Sequence, residues 1–171
     1  QNICIGNGIH GIGVNGQARP TLEGNTCREN KDSGIAYFDN SAGVARQNTC
    51  FSNEHYGIYV GGQARPTLEG NTCRENKWSG IAYFGNSAGV ARQNTCFGNE
   101  HHGIYVGDQA QPTLEGNTCR ENKDSGIAYF ENSAGVARQN ICADNAINDI
   151  YVAPTAQPIL KDNRVVKIRR W

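Results

Sequence analysis

Pro66-Thr67-Leu68-Glu69-Gly70-Asn71-Thr72-Cys73 ends on the fourth of seven cysteines, and each of these (Cys4, Cys27, Cys50, Cys73, Cys96, Cys119 and Cys142) follows the last at the same interval without exception. Self-similarity at a fixed period of this size marks a solenoid. Within the quoted stretch, and in Gly57-Ile58-Tyr59-Val60-Gly61-Gly62 before it, apolar residues alternate with others between glycine and asparagine punctuation. That is the period of strands rather than helices. Three such stretches per repeat, around Leu68, around Cys73 and from Ile81 to Tyr83, make a triangular coil. Seven coils stacked at roughly 4.8 Å predict a rod on the order of 34 Å long. A mean hydropathy of -0.60 suits this shape, because each solenoid coil buries only its inner face against its neighbours.

Other columns share the register. Asn2, Asn25, Asn48, Asn71, Asn94, Asn117, Asn140 and Asn163 hold one offset, and Asn7, Asn30, Asn53, Asn76, Asn99, Asn122 and Asn145 another. Asparagine accepts turn geometries and its amide can bond to the amide stacked above and below. Gly11, Gly34, Gly57, Gly80, Gly103 and Gly126 precede the second strand, where a positive-φ corner is expected; Asp149 breaks that column. A doubled period separates odd coils, with Val60 and Leu68, from even coils, with Tyr83 and Ala91. One position grows where the other shrinks, as in two columns meeting across a close-packed core. Glu23, Arg46, Glu69, Arg92, Glu115 and Arg138 alternate in sign along one column, and Lys31, Glu54, Lys77, Glu100 and Lys123 along another. Arg28, Phe51, Arg74, Phe97 and Arg120 alternate cation with ring. Such columns set register before they do anything else.

Composition excludes several classes of function. The 16 basic residues balance the 16 acidic ones, so the broad positive field of a nucleic-acid or anionic-membrane binder is missing. Lys167, Arg169 and Arg170 form one terminal cluster that reads as a solvated end. Apolar runs are too short to span a bilayer. The chain has no methionine and opens with Gln1 inside the repeat, which suggests a processed product or an excised piece. One cysteine per coil at a fixed offset is a packing position, not a disulfide framework, and free thiols favour a reducing compartment such as the cytoplasm. A linear file of thiols cannot surround zinc, so neither a metal nor another cofactor is expected. Residues 1–163 read as the coiled domain and 164–171 as a strand-like cap, with Val165, Val166, Ile168 and Trp171 over the open core.

The phrases Gly57-Ile58-Tyr59-Val60, Ala64-Arg65-Pro66-Thr67-Leu68-Glu69-Gly70-Asn71-Thr72-Cys73 and Ser87-Ala88-Gly89-Val90-Ala91-Arg92-Gln93-Asn94 resemble the right-handed parallel β-helix repeat of the pectin-lyase-like superfamily. Pectate lyases, alginate epimerases, copper-site maturation proteins and an F-box ubiquitin-ligase subunit share it, and the versions in the F-box subunit and in cyanobacterial kinase-associated proteins are most similar. The resemblance covers about Gln1 to Asn163 and implies the fold, not an activity, because members include enzymes, sugar binders and protein scaffolds. The Tyr-Gly-Asp-Pro-His type of stretch that the resemblance would require of an epimerase is missing. Asp108 and Glu131 share an offset, but two carboxylates fall short of a calcium cage of about six to eight oxygens.

One outward column carries more chemistry than the rest: Asp32, His55, Trp78, His101 and Asp124, with His10, Tyr56 and His102 beside it. Stacking should set Asp32 near His55 and Asp124 near His101, and Trp78 offers a flat apolar face. The candidate binding residues are therefore His55, Trp78, His101, His102 and Asp124, and none is expected to be catalytic. The nucleotide-like spacing of Gly6, Gly8 and Gly11 lacks a following helix and reads as turn glycine. The expected function is a non-enzymatic scaffold presenting an elongated surface to a protein or polysaccharide. The alternatives are a fragment of a polysaccharide lyase or epimerase, and a structural element that associates end to end.

Overall fold

The computed structural model describes residues 1–165 and 168–170, all of it strand and turn. Three parallel sheets wrap one core. The first runs in seven strands from Ile3–Ile5 to Ile141–Ala143, the third in seven from Thr21–Glu23 to Ile159–Lys161. The second begins at Ile12–Val14, reaches Asn148–Val152 as its seventh strand and gains an eighth at Ile168–Arg170. Every pairing is parallel and, through seven coils, in register at the cysteine interval: Cys73 sits between Cys50 and Cys96, Ile81 between Ile58 and Ile104, and Ala91 between Leu68 and Leu114. The triangular parallel β-helix read from the spacing is thus the observed fold. Among the described residues no helix is long and apolar enough to cross a membrane.

The core is the inner face of all three sheets. Cys27 through Cys142 are buried and unbridged, Cys4 is half-buried, and the Ile, Val, Tyr, Leu and Ala columns close around them. Thiols serve here as small apolar groups. Both asparagine columns are hydrogen-bonded ladders. Asn71 donates its side-chain amide to Asn94 Oδ1 at 2.9 Å and to the Ala45 carbonyl at 2.8 Å, and its backbone N–H to the same Oδ1. Asn76 repeats the scheme with Asn99 and the Cys50 carbonyl. A buried amide has its donors met by neighbouring coils, so the ladder removes the cost of burying it. Ion pairs form on the outer columns as the alternation of sign predicted, at 3.0 Å for Arg92–Glu69 and 2.6 Å for Lys123–Glu100. Arg74 lies 4.1 Å above the Phe51 ring.

The glycine column needs a correction. Gly11, Gly34, Gly57, Gly80, Gly103 and Gly126 do not have positive φ; the left-handed residues are elsewhere, at Gly70, Gln93 and Gly116 on one corner and at Asp39, Gly62 and Gly85 on another. What demands glycine in the column is the next coil. A Cβ on Gly80 would lie 2.7 Å from the Gly103 carbonyl oxygen and 3.0 Å from both Cβ and Sγ of Cys96. Asp149 escapes because the strand that follows its coil breaks the regular interval, with Ile150 paired to Ile168. Of the predicted cap, Val165 is half-buried against the core and Ile168 is half-exposed, while Val166 and Trp171 lie outside the described residues.

Candidate functional site

The outward face of the second sheet is built from an alternation of large and small residues. Mid-strand positions read Ala36, Tyr59, Ala82, Tyr105, Ala128 and Tyr151, and positions two further on read Phe38, Gly61, Phe84, Gly107, Phe130 and Ala153. Each coil from the second to the seventh supplies one ring, from alternating columns. The rings interleave into one ladder: Phe38–Tyr59 at 5.3 Å between centroids, Tyr59–Phe84 at 5.6 Å, Phe84–Tyr105 at 4.9 Å, Tyr105–Phe130 at 5.3 Å and Phe130–Tyr151 at 5.0 Å. Gly61 and Gly107 make the room. A Cβ on Gly107 would fall 2.6 Å from the Tyr105 ring, and one on Gly61 would fall 2.4 Å from the Tyr59 hydroxyl. All six rings are half-buried, so each shows an edge or face to solvent.

Alongside the ladder, on the corner that precedes the strand, runs the row Ile9, Asp32, His55, Trp78, His101, Asp124 and Ile147, which reads the same in both directions about Trp78. Trp78 is 48% exposed, with His55 at its edge and His101 tilted over it at 5.3 Å. Asp32 accepts from the Ser33 hydroxyl at 2.9 Å and meets His55 Nδ1 at 3.1 Å and His10 Nδ1 at 3.6 Å. The other end differs from expectation. Asp124, drawn in by the Ser125 hydroxyl at 3.0 Å, faces Nε2 of His102 at 3.8 Å, while His101 stacks on the indole. His102 is buried, and its Nδ1 accepts the Ser125 backbone N–H at 3.3 Å, which leaves its proton on Nε2 toward Asp124. Burial pushes the imidazole down to about 4, against the pull of Asp124. It is neutral at pH 7.

Two clefts lie between the corner row and the ladder, and Tyr56 is the wall they share. One, of about 270 Å³, is lined by Trp78, His101, His102, Phe84 and Tyr105; the other, of about 280 Å³, by His10, Asp32, His55, Phe38 and Tyr59. Four of the predicted residues therefore converge: Trp78, His101 and His102 in one cleft, with Asp124 behind His102. His55 stands across Trp78 in the other. The far rim is formed by Asp39, Asp108 and Glu131. Asp39 caps the Gly16 N–H at 3.0 Å, Asp108 caps that of Gly85 at 2.7 Å, and Glu131 caps that of Asp108 at 3.1 Å. Burial, with Glu131 and Asp108 adjacent, pushes the Tyr105 phenol up to about 12. A larger cleft of about 400 Å³ sits on the opposite side at Glu23, Arg46, Glu69 and Gln93, where Glu23 and Arg46 are already paired at 2.8 Å. Among the described residues no three of His, Cys, Asp and Glu gather as a metal ion would need.

Sequence reasoning missed Tyr59, Tyr105, Phe38, Phe84 and Phe130. The signal was present in the glycines opposite the tyrosines, since the rule that paired growth with shrinkage in the core applies equally outside. Internal comparison also marks the face. The even coils 24–46, 70–92 and 116–138 are identical except at two positions, Asp32/Trp78/Asp124 and Asp39/Gly85/Glu131. Those are its two rims. The odd coils 47–69 and 93–115 differ at four positions, of which Tyr56/His102 and Gly62/Asp108 border the same clefts.

Residues 1–118 match the family model described as the right handed beta helix region. No curated protein matches the chain. Similar solved structures include the periplasmic alginate epimerase AlgG, at 19% identity and a TM-score of 0.74 over 88% of this chain and 45% of that one. The A-module of the Azotobacter vinelandii mannuronan C-5 epimerase AlgE4 gives 14% and 0.83 over 99% and 54%. That of AlgE6 gives 14% and 0.75 over 98% and 55%. The chain spans about half the length of these epimerases, and likeness at such identity is likeness of fold.

Proposed function

This chain belongs to the right-handed β-helix family, and from that premise we propose that it is a non-catalytic recognition module whose ring-lined face binds an extended polysaccharide. The observation that carries the reading is the coincidence of the ring ladder with the rows that vary between otherwise identical coils. A continuous apolar strip with polar rims suits a flat, hydroxyl-edged polymer, because aromatic faces stack on sugar rings while carboxylates and imidazoles bond to the hydroxyls. The strip extends over five coil steps, roughly 24 Å, so successive sugars would meet successive rings. That the fold's neighbours are epimerases of alginate and mannuronan makes a polysaccharide the nearest class of ligand.

Catalysis has less support. The Tyr105 phenol is held too high to be a base at neutral pH, and His102 has one nitrogen committed to the Ser125 N–H. A general base needs a free nitrogen aimed at the reacting centre. Calorimetry against a panel of soluble polysaccharides tests the proposal: Trp78→Ala and Tyr105→Ala should each weaken binding roughly twofold to tenfold, and unchanged affinity in both variants sinks the site. Turnover of alginate by the purified chain, seen by proton NMR or by absorbance of unsaturated product, would overturn the non-catalytic half.

A further inference from the structure

Through the seven coils both rims of the ring-lined face are acidic, and no lysine or arginine stands between them; beyond the seventh coil the eighth strand sets the Arg169 backbone beside Tyr151 at one end. Residues 9–16, 32–39, 55–62, 78–85, 101–108, 124–131 and 147–154 make up the seven coils' share of the face from corner to corner. None is Lys or Arg, in a chain with 16 of them. The same stretches place Asp32 and Asp124 on one rim and Asp39, Asp108 and Glu131 on the other. Asp32 and Asp124 are each about one-third exposed, and the three far-rim carboxylates are exposed. The lysines of the adjoining column do not offset them fully: Lys77 is bound to Glu54 at 2.5 Å and Lys123 to Glu100 at 2.6 Å, leaving Lys31 at one end. Between the rims the floor is aromatic, and His102 is uncharged at pH 7.

We infer that the ligand of this face is a cationic amino-sugar polymer, a hexosamine chain with free amines, and not a polyuronate. The inference rests on the glycan reading of the site and adds its charge. Ammonium groups along such a chain would meet carboxylates at the rims and ring faces on the floor, the two surfaces that attract a cation. A polyuronate brings one carboxylate per sugar and would set like charges against five fixed acids. The symmetric row about Trp78 gives the site its span. Asp32 and Asp124 are four coils apart, roughly 19 Å, and Ile9 and Ile147 close the row beyond them. The substrates named for the epimerases of similar fold do not transfer to this face, because its charge is of the wrong sign for them.

The test is calorimetry at pH 7.5 with three β-1,4-linked hexamers: N,N,N-trimethylglucosamine, whose charge is fixed, N-acetylglucosamine, which is neutral, and mannuronate. The trimethylated hexamer should bind at least fivefold tighter than the other two and weaken as salt is raised from about 50 to about 300 mM, by the screening expected of exposed pairs. Asp32→Asn with Asp124→Asn should cost it roughly twofold to twentyfold and weaken the neutral hexamer by a smaller factor, since an amide oxygen still accepts from a hydroxyl. Equal affinity for the neutral hexamer, preference for mannuronate, or indifference to the two Asn changes overturns the charge inference while the glycan site stands. Failure of all three hexamers to bind overturns both.

Discussion

Gly107 should be glycine for the sake of Tyr105, and replacing it with alanine isolates that dependence. The backbone at Gly107 is not left-handed, so Gly107→Ala carries no φ penalty; its Cβ would fall 2.6 Å from Tyr105 Cε1 and 2.7 Å from the hydroxyl. The ring is the mobile partner and must swing out. It would leave Phe84 at 4.9 Å and Phe130 at 5.3 Å, with His102 at 5.8 Å. Aromatic pairs contribute about 0.5–1.5 kcal/mol each beyond area burial, so losing two or three costs about 1–4.5 kcal/mol. For a chain of this size each kcal/mol lowers Tm by roughly 2–4 °C, which predicts a fall of roughly 2–18 °C. The double-mutant cycle is decisive. In a Tyr105→Ala background there is no ring to displace, and Gly107→Ala should be neutral or stabilise by up to about 1 kcal/mol through the unfolded chain. Thermal melts by far-ultraviolet circular dichroism give the four values, and near-ultraviolet signal reports the ring. Equal destabilisation in both backgrounds would refute the reasoning.

Two further outcomes follow from the same contacts. Gly80→Ala should lower Tm by roughly 2–12 °C, from an overpacking cost of about 1–3 kcal/mol, because the Gly103 carbonyl cannot retreat without breaking the next coil; Gly13→Ala, with nothing within 4 Å, should not, and equal melts for the two variants would refute crowding as the cause. His102 binds its proton at about 4 when folded and near 6.5 when unfolded. Its contribution is therefore complete above pH 6.5 and is lost as pH falls from 6.5 through 4, by up to about 3 kcal/mol. His102→Asn should flatten that part of the stability profile, and parallel profiles for the two proteins would exclude the imidazole as its source.

The fold was legible because stacking repeats every constraint at one interval: a cysteine, two asparagines and an apolar triplet each have to meet their own kind one coil away. Asn71 and Asn94 announce a ladder from their spacing alone. The glycine column shows where the reading stops. Gly80 is required by atoms of the following coil, and no local rule about glycine distinguishes crowding from a left-handed turn. Conversely, Gln93, Glu75 and Asp108 are left-handed and carry no glycine to betray it, since exposed corners tolerate the modest cost. At the site, the corner row was visible as an accumulation of imidazole, indole and carboxylate, but the floor was not. Tyr59 and Phe84 are ordinary strand residues taken singly, and become a ladder only when Gly61 is seen as the space one ring occupies.

Repetition constrains this protein least where it meets solvent along one face. A change at Ile81, Asn76 or Gly80 has to be matched on the coils above and below, and the even coils duly carry the same residue three times. Asp32, Trp78 and Asp124 have no such obligation: their backbones are fixed by coil-to-coil hydrogen bonds, as in Trp78 N–H to the His55 carbonyl at 2.9 Å, and their side chains point off the rod. The floor of rings is held constant by packing, and the rims are free to differ. A surface made in this way can change its ligand without changing its fold, since replacing a rim carboxylate alters charge at the cost of one polar contact to a neighbouring corner or imidazole and leaves the apolar columns of the core intact. The preference of the ring-lined face should therefore follow its rims: Asp39→Lys with Glu131→Lys should turn it toward polyanions in calorimetry while the far-ultraviolet circular dichroism of the coils stays unchanged.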